Sequence, residues 1–145
     1  MGDTAPAGFT LVEIIVVLGM VALIASVGIV MNLDAYRNYI FSTERDTLVA
    51  ILQKARSRAL NNMYQSPHGV HIEDSTYTLF RGASFNSGAS TNETVFANSA
   101  VAKTGINDIV FDQLSGNAAP AGDITLSNSI RSSTISVNNE GKIDW

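Results

Sequence analysis

Polar and apolar positions divide the chain into two regimes. Ile14 to Met31 carries no charged residue, and as a helix these 18 residues extend about 27 Å at ~1.5 Å per residue. Extending the stretch to Phe9 and Leu33 adds a single charge, Glu13. That length suits a membrane span better than a soluble core helix. Further on, Phe41, Leu48, Ile51, Leu52, Ala55 and Ala59 recur at spacings of three, four and seven. Glu44, Arg45, Lys54, Arg56 and Arg58 occupy much of the remaining surface, the pattern of an amphipathic helix. No proline occurs between Phe9 and Pro67, and Ser66-Pro67 is a stop signal. One helix is predicted from about Thr10 to Asn62.

After Pro67 the period becomes two. Val70-His71-Ile72 and Tyr77–Phe80 flank Asp74-Ser75, which predicts a hairpin with Val70 and Ile72 inward. Thr94–Ala97, Asp108–Asp112, Asp123–Leu126, Thr134–Val137 and Lys142–Trp145 read as further short strands separated by Gly, Ser and Asn. Arg81–Glu93, Asn98–Asn107 and Leu114–Gly122 read as loops. The predicted class is α+β, with an antiparallel β head packed on the amphipathic half of a long N-terminal helix.

Composition sharpens this picture. Hydrophobic residues make up 46% and charged ones 15% of the 145 residues, and the apolar excess sits near the N-terminus. The net charge of −4 gives no global reason to expect nucleic-acid binding. Cysteine is absent, which excludes disulfides, a lipoprotein-type lipid anchor and Cys-based metal sites.

Glu13 is the informative residue of the apolar stretch. A carboxylate in an apolar helix is disfavoured by lipid, by ~2.5–3.5 kcal/mol for a charge at the helix centre and by less near the interface. Two readings follow: an interfacial glutamate, or a carboxylate that awaits a cation from another subunit. Residues 1–8 contain no Lys or Arg, whereas an ordinary secretory signal has a basic start and a shorter apolar core. A plain anchor gives no reason for Glu13.

Gly8-Phe9-Thr10-Leu11-Val12-Glu13, followed by Ile14-Ile15-Val16-Val17, resembles the signature shared by type IV pilins and type II secretion pseudopilins. The resemblance implies a leader over 1–8, cleavage between Gly8 and Phe9 by a prepilin peptidase, and N-methylation of Phe9. It implies a transmembrane and filament-core helix over 9–33, an amphipathic helix over 34–66 and a β head over 67–145. It also implies that Glu13 faces the Phe9 ammonium of a neighbouring subunit, a partner that a buried carboxylate requires.

Leu52-Gln53-Lys54-Ala55-Arg56-Ser57-Arg58-Ala59-Leu60 is similar to a helix of the GspH/FimT group of minor pilins and pseudopilins. The terminal run fits as well: Val110-Phe111, Gly116, Gly122–Leu126, Ile135-Ser136-Val137 and Gly141-Lys142-Ile143. This second resemblance implies a head of two β-sheets against the helix.

Candidate chemistry in the head is sparse. His68 and His71 fall on the predicted hairpin with no third ligand nearby, so no metal site is expected. Asp108, Asp112 and Asp123 form no dense oxygen-ligand motif for calcium. Asn92-Glu93-Thr94 fits a glycosylation sequon, a weak signal. No nucleophile motif or catalytic carboxylate pair is present, and no cofactor or enzyme activity is expected. Arg56 and Arg58 read as a solvated helix face, with pairing to Asp or Glu of the head as the alternative.

The expected function is structural: a minor subunit of a type IV pilus-like filament or a type II secretion pseudopilus, the two left open. Its expected partners are other pilin or pseudopilin subunits, the prepilin peptidase, an inner-membrane assembly platform, and the membrane before assembly. The chain is expected to be single-pass before assembly, with its head on the outer face, and extracytoplasmic in the filament afterwards. The alternative is a DNA- or surface-binding minor pilin. Against DNA, Arg81, Lys103, Arg131 and Lys142 are spread along the head, and Asp144 beside Lys142 repels phosphate.

Overall fold

In the computed structural model, residues 8–145 are described, apart from the side chains of residues 27–32; the rest of the expected leader lies outside them. Helix α1 runs Leu11–Leu60 and is followed by a single 3-10 turn, Met63–Gln65. Nine strands follow: β1 (His68–Ile72), β2 (Thr76–Arg81), β3 (Glu93–Phe96), β4 (Ala102–Gly105), β5 (Asp108–Phe111), β6 (Ala118–Ala119), β7 (Gly122–Ser127), β8 (Ser132–Val137) and β9 (Ile143–Asp144). They form two antiparallel sheets, ordered β3-β2-β1-β5-β6 and β4-β7-β8-β9. The α+β class and the antiparallel head are as expected.

The chain forms two compact units, one ending at Arg37 and the other beginning at Asn38. In the first, large apolar side chains are exposed around the whole helix surface, from Leu11 (76%) to Ile24 (75%). Among the described residues no helix is long and apolar enough to cross a membrane. The single-pass span expected over 9–33 is therefore not found there. Of that stretch, side chains are described as far as Ser26 and again at Leu33.

In the second unit the amphipathic stripe does what its spacing predicts. Phe41, Leu48, Ile51, Leu52, Ala55 and Ala59 are all buried, in one core with Val70, Ile72, Tyr77 and Leu79 of the hairpin and Ile124, Leu126, Ile135 and Val137 of the second sheet. The β1–β2 register pairs Val70 with Leu79 and Ile72 with Tyr77, which puts the predicted inward residues on the helix side. Gly69 pairs with Phe80 on the outer face, where a side chain on Gly69 would lie 2.3 Å from the Phe80 ring. The bare glycine lets that aromatic lie flat across the strand.

The helix ends two residues before the predicted boundary. Asn62 adopts left-handed backbone angles (φ 52) and its N–H bonds to the Ala59 carbonyl, a local cap that acts before Ser66-Pro67 is reached. Two strands lie within segments read as loops, β4 in 98–107 and β6 in 114–122. Ala102-Lys103-Thr104-Gly105 has no apolar alternation, because β4 is an edge strand whose pairing with β7 comes from the backbone.

Candidate functional site

Of the residues expected to carry processing and assembly, Gly8, Phe9 and Glu13 are brought together by the start of α1. All three are exposed, and a side chain on Gly8 would meet nothing within 4 Å. Thr10 caps the helix: its Oγ1 accepts the Glu13 N–H at 3.2 Å, and its carbonyl accepts the Ile14 N–H at 3.2 Å. Thr10-Leu11-Val12-Glu13 thus has the spacing of a capping box. Glu13 also lies in the first turn, where the helix dipole favours a negative charge. Part of the signature therefore has a local reason, which the S/T-x-x-E spacing already carried. Among the described residues no cation lies within ion-pair distance of the Glu13 carboxylate.

The head holds its principal polar device elsewhere. Glu44 projects from α1 into the core, only 6% exposed. Tyr77 Oη donates to Glu44 Oε1 at 2.6 Å, and the Asn98 N–H donates to both carboxylate oxygens at 3.1 Å. Lys103 Nζ lies 3.2 Å from Glu44 Oε1, the side chains being 3% and 7% exposed. The same ammonium donates to the carbonyls of Asp74 (2.9 Å), Asn98 (3.0 Å) and Val101 (3.0 Å). Burial, then the hydrogen bond to Glu44, push the Tyr77 phenol far above its ordinary range. One buried ion pair thus ties the helix, the first sheet through Tyr77 and the second through Lys103. The sequence pattern puts Glu44 on the polar side of the amphipathic helix and Lys103 in a loop, whereas the fold buries both.

The remaining cations are engaged in various ways. Lys54 and Arg58 both bind Glu93, at 2.8 and 2.6 Å. The Lys54 bond, ahead of the Arg58 bond, holds the Glu93 carboxyl below the usual carboxylate range. Arg56 donates to the Glu140 carbonyl at 3.1 Å. Lys142 pairs with Asp144 at 2.7 Å. Arg81 lies 5.0 Å over the Tyr64 ring, and Arg131 lies 5.6 Å over Phe41. Lys103, one of the four head cations considered for phosphate contact, is consumed in the core. Arg56 and Arg58 are tied to the head rather than solvated.

His71 bridges two carboxylates, with Nδ1 2.7 Å from Asp108 and Nε2 3.3 Å from Glu73, and it stacks on Phe85 at 3.9 Å. Among the described residues no cluster of three or more His, Asp or Glu is placed to hold a metal ion. Asp123 accepts from Ser136 Oγ at 2.7 Å and is thus occupied across the β7–β8 pair. Two glycines of the terminal run meet beside the helix. A side chain on Gly141 (φ 71) would fall 2.0 Å from the Gly116 carbonyl oxygen and 3.0 Å from Arg56 Nε, and one on Gly116 would strike Leu60. Leu60 and Arg56 of α1 thus form one joint with Gly116 and Gly141. No family model, curated protein or solved structure matches the chain at a significant level.

Proposed function

We propose that the chain is a structural subunit of a type IV pilin-like filament, inserted in a membrane through its N-terminal helix before assembly. The observation that carries this reading is the exposed apolar surface around the whole of α1 from Leu11 to Ile24. A helix that is apolar on every side needs an apolar surrounding, either lipid or other helices. The uncharged run continues in the sequence through Met31, and burial among neighbouring helices recovers about 25 cal/mol per Å² of apolar surface relative to water.

Glu13 supports the filament over a simple anchor. It stands in the first turn of α1 and has no described cation partner. In the filament its partner is the Phe9 amine of the next subunit, freed by cleavage after Gly8. Charge complementarity of that kind sets axial register. The GspH/FimT-like runs favour a minor subunit, since the residues that carry the likeness, among them Arg56, Leu60, Gly116 and Gly141, meet in one joint. The role is structural rather than catalytic, and either a pilus or a secretion pseudopilus accommodates it.

Two measurements test this. Mass spectrometry in the native host should find a mature N-terminus at Phe9 carrying a methyl group; an N-terminus at Ser26 or later would mean an ordinary secretory signal. Glu13→Ala should still insert and be cleaved, yet be depleted from sheared filaments relative to the membrane fraction. Normal incorporation would remove the register role and leave Glu13 as a helix-capping residue.

A further inference from the structure

Exposed apolar side chains gather at the end of the head where α1 enters it. The helix enters at Asn38, and Phe41 and Glu44 are its first buried residues there. The β7–β8 turn lies at this end, because the Arg131 guanidinium stands 5.6 Å over the Phe41 ring. The end of β3 lies there too: the Asn98 N–H bonds the Glu44 carboxylate, and Phe96 is two residues away. Ala102 pairs with Ser127, which joins the two corners. Tyr39, Phe96 and Ile130 are 70%, 88% and 43% exposed, Phe96 being the most exposed large apolar side chain among the described residues. The opposite end of the head is marked by the Leu114 N–H, which bonds the Ala59 carbonyl.

Chain length limits what this end can face. Tyr39 follows Leu33, the last residue of the apolar run, by six residues, so at most about 20 Å of chain separates them. The opposite end is about 27 Å further along α1, from Phe41 to Ala59 at ~1.5 Å per residue. The chemistry suits the boundary between lipid and water, where aromatic rings and cations both find partners. The β7–β8 turn is held rigidly: Asn128 Oδ1 accepts the N–H groups of Ile130 and Arg131, both at 2.9 Å, and the Asn128 N–H donates to the Arg131 carbonyl at 2.9 Å. Between Asp123 and Glu140 the chain carries one charge, Arg131, and the described contact of its guanidinium is the Phe41 ring. Of the nearby carboxylates, Glu44 pairs with Lys103, Asp46 with Arg45, and Glu73 with His71 and Thr76; Asp74 is exposed.

We propose that this end of the head is a lipid-contact surface, on which the head rests against the bilayer before assembly. Tyr39, Phe96 and Ile130 enter the headgroup layer, and Arg131 donates to a lipid phosphate. The inference rests on the membrane-inserted state proposed above. Proximity favours lipid over a second copy of the chain, since a bilayer holding the apolar run is within reach of every subunit at any protein concentration. Docking holds the head in one orientation before extraction, and assembly frees the same surface.

The chain has no cysteine, so single-cysteine labels are specific. Full-length protein with Ser26→Cys, Ser129→Cys or Ser115→Cys is labelled with a fluorophore and placed in nanodiscs of phosphatidylcholine and phosphatidylglycerol. The quencher is spin-labelled lipid, on the acyl chain for Ser26 and on the headgroup for the two head positions. Ser26 should be quenched, and Ser129 at least twofold more than Ser115. Tethering alone brings Ser129 nearer the bilayer, so the deciding comparison is Phe96→Ser with Arg131→Gln, both at exposed positions. This double variant should at least halve quenching at Ser129 and leave Ser26 unchanged. An unquenched Ser26 would refute the membrane reading, and this contact with it. A quenched Ser26 beside equal quenching at Ser129 and Ser115, or beside a double variant that changes nothing, would overturn the contact alone. Quenching at Ser129 that depends on the number of protein copies per nanodisc would assign the surface to a second copy and overturn the lipid contact.

Discussion

Replacing Lys103 with methionine is the most direct probe of what holds the head together. Methionine fills most of the same volume but cannot donate, so Glu44 is left as a buried carboxylate facing only Tyr77 and the Asn98 N–H. Removing one partner of a buried pair costs about 3–5 kcal/mol. Side-chain exposures of 3% and 7% allow little solvent screening. The two surviving donors to Glu44 place the cost near the lower end, about 3 kcal/mol. In a head of roughly 100 residues each kcal/mol moves the midpoint by about 4–8 °C, so Lys103→Met should lower Tm by roughly 12–24 °C. Glu44→Gln should cost less, about 1–2 kcal/mol, because an amide oxygen still accepts from Tyr77 and three carbonyls still hold Lys103. Thermal melts followed by circular dichroism on both single variants and the double variant close a cycle, with a coupling expected above about 1 kcal/mol. A Tm shift under roughly 3 °C for Lys103→Met, with no coupling, would refute the buried tie and place Lys103 in water.

Acid should weaken the head in two steps. His68 has its folded pKa below the ordinary 6.5, so the unfolded chain takes the proton first and stability falls as pH drops below about 6.5. Glu93 is held below 4.5, so its contribution is complete above that value and is lost as pH falls through the lower folded pKa; Glu93→Gln should shrink this second step, which Glu73 shares, and leave the first, in Tm measured against pH. Gly141→Ala should destabilise by about 1–3 kcal/mol in urea melts, since the new methyl meets the Gly116 carbonyl at 2.0 Å and φ is 71. Gly69→Val should cost a similar amount, about 1–3 kcal/mol, by pressing on Phe80 and on the Ile109 carbonyl, and combined with Phe80→Ala it should cost less than the two single losses summed.

Periodicity exposed the helix stripe and the first hairpin because both are built from large apolar residues at fixed spacing. Phe41, Leu48, Leu52, Val70 and Ile72 are buried as their positions demand. What periodicity could not reveal is pairing between unlike groups far apart in the chain. Glu44 and Lys103 look individually like surface charges, and only the fold brings them to 3.2 Å. The same holds for His68, whose burial follows from strand register while its neighbours, Arg58 and Arg81, come from other elements. The Gly8–Glu13 signature was visible as a motif, and the bond from the Glu13 N–H to Thr10 Oγ1 shows that part of it serves helix initiation.

The order in which strands enter the two sheets has a consequence for biogenesis. β4 lies between β3 and β5 in the chain but belongs to the other sheet, where its partner β7 arrives about twenty residues later. Lys103 sits on that waiting strand. A chain that emerges N-terminus first therefore presents its apolar helix long before Glu44 can meet its counterion. Neither sheet can close around a partial chain, because the first needs β6 and the second runs to β9 at Asp144. A nascent or truncated product ending before Gly122 has β4 unpaired and the helix untied. Such a product leaves the β7-facing side of β4 open and Glu44 without its counterion, the features of a locally unstable, protease-sensitive chain.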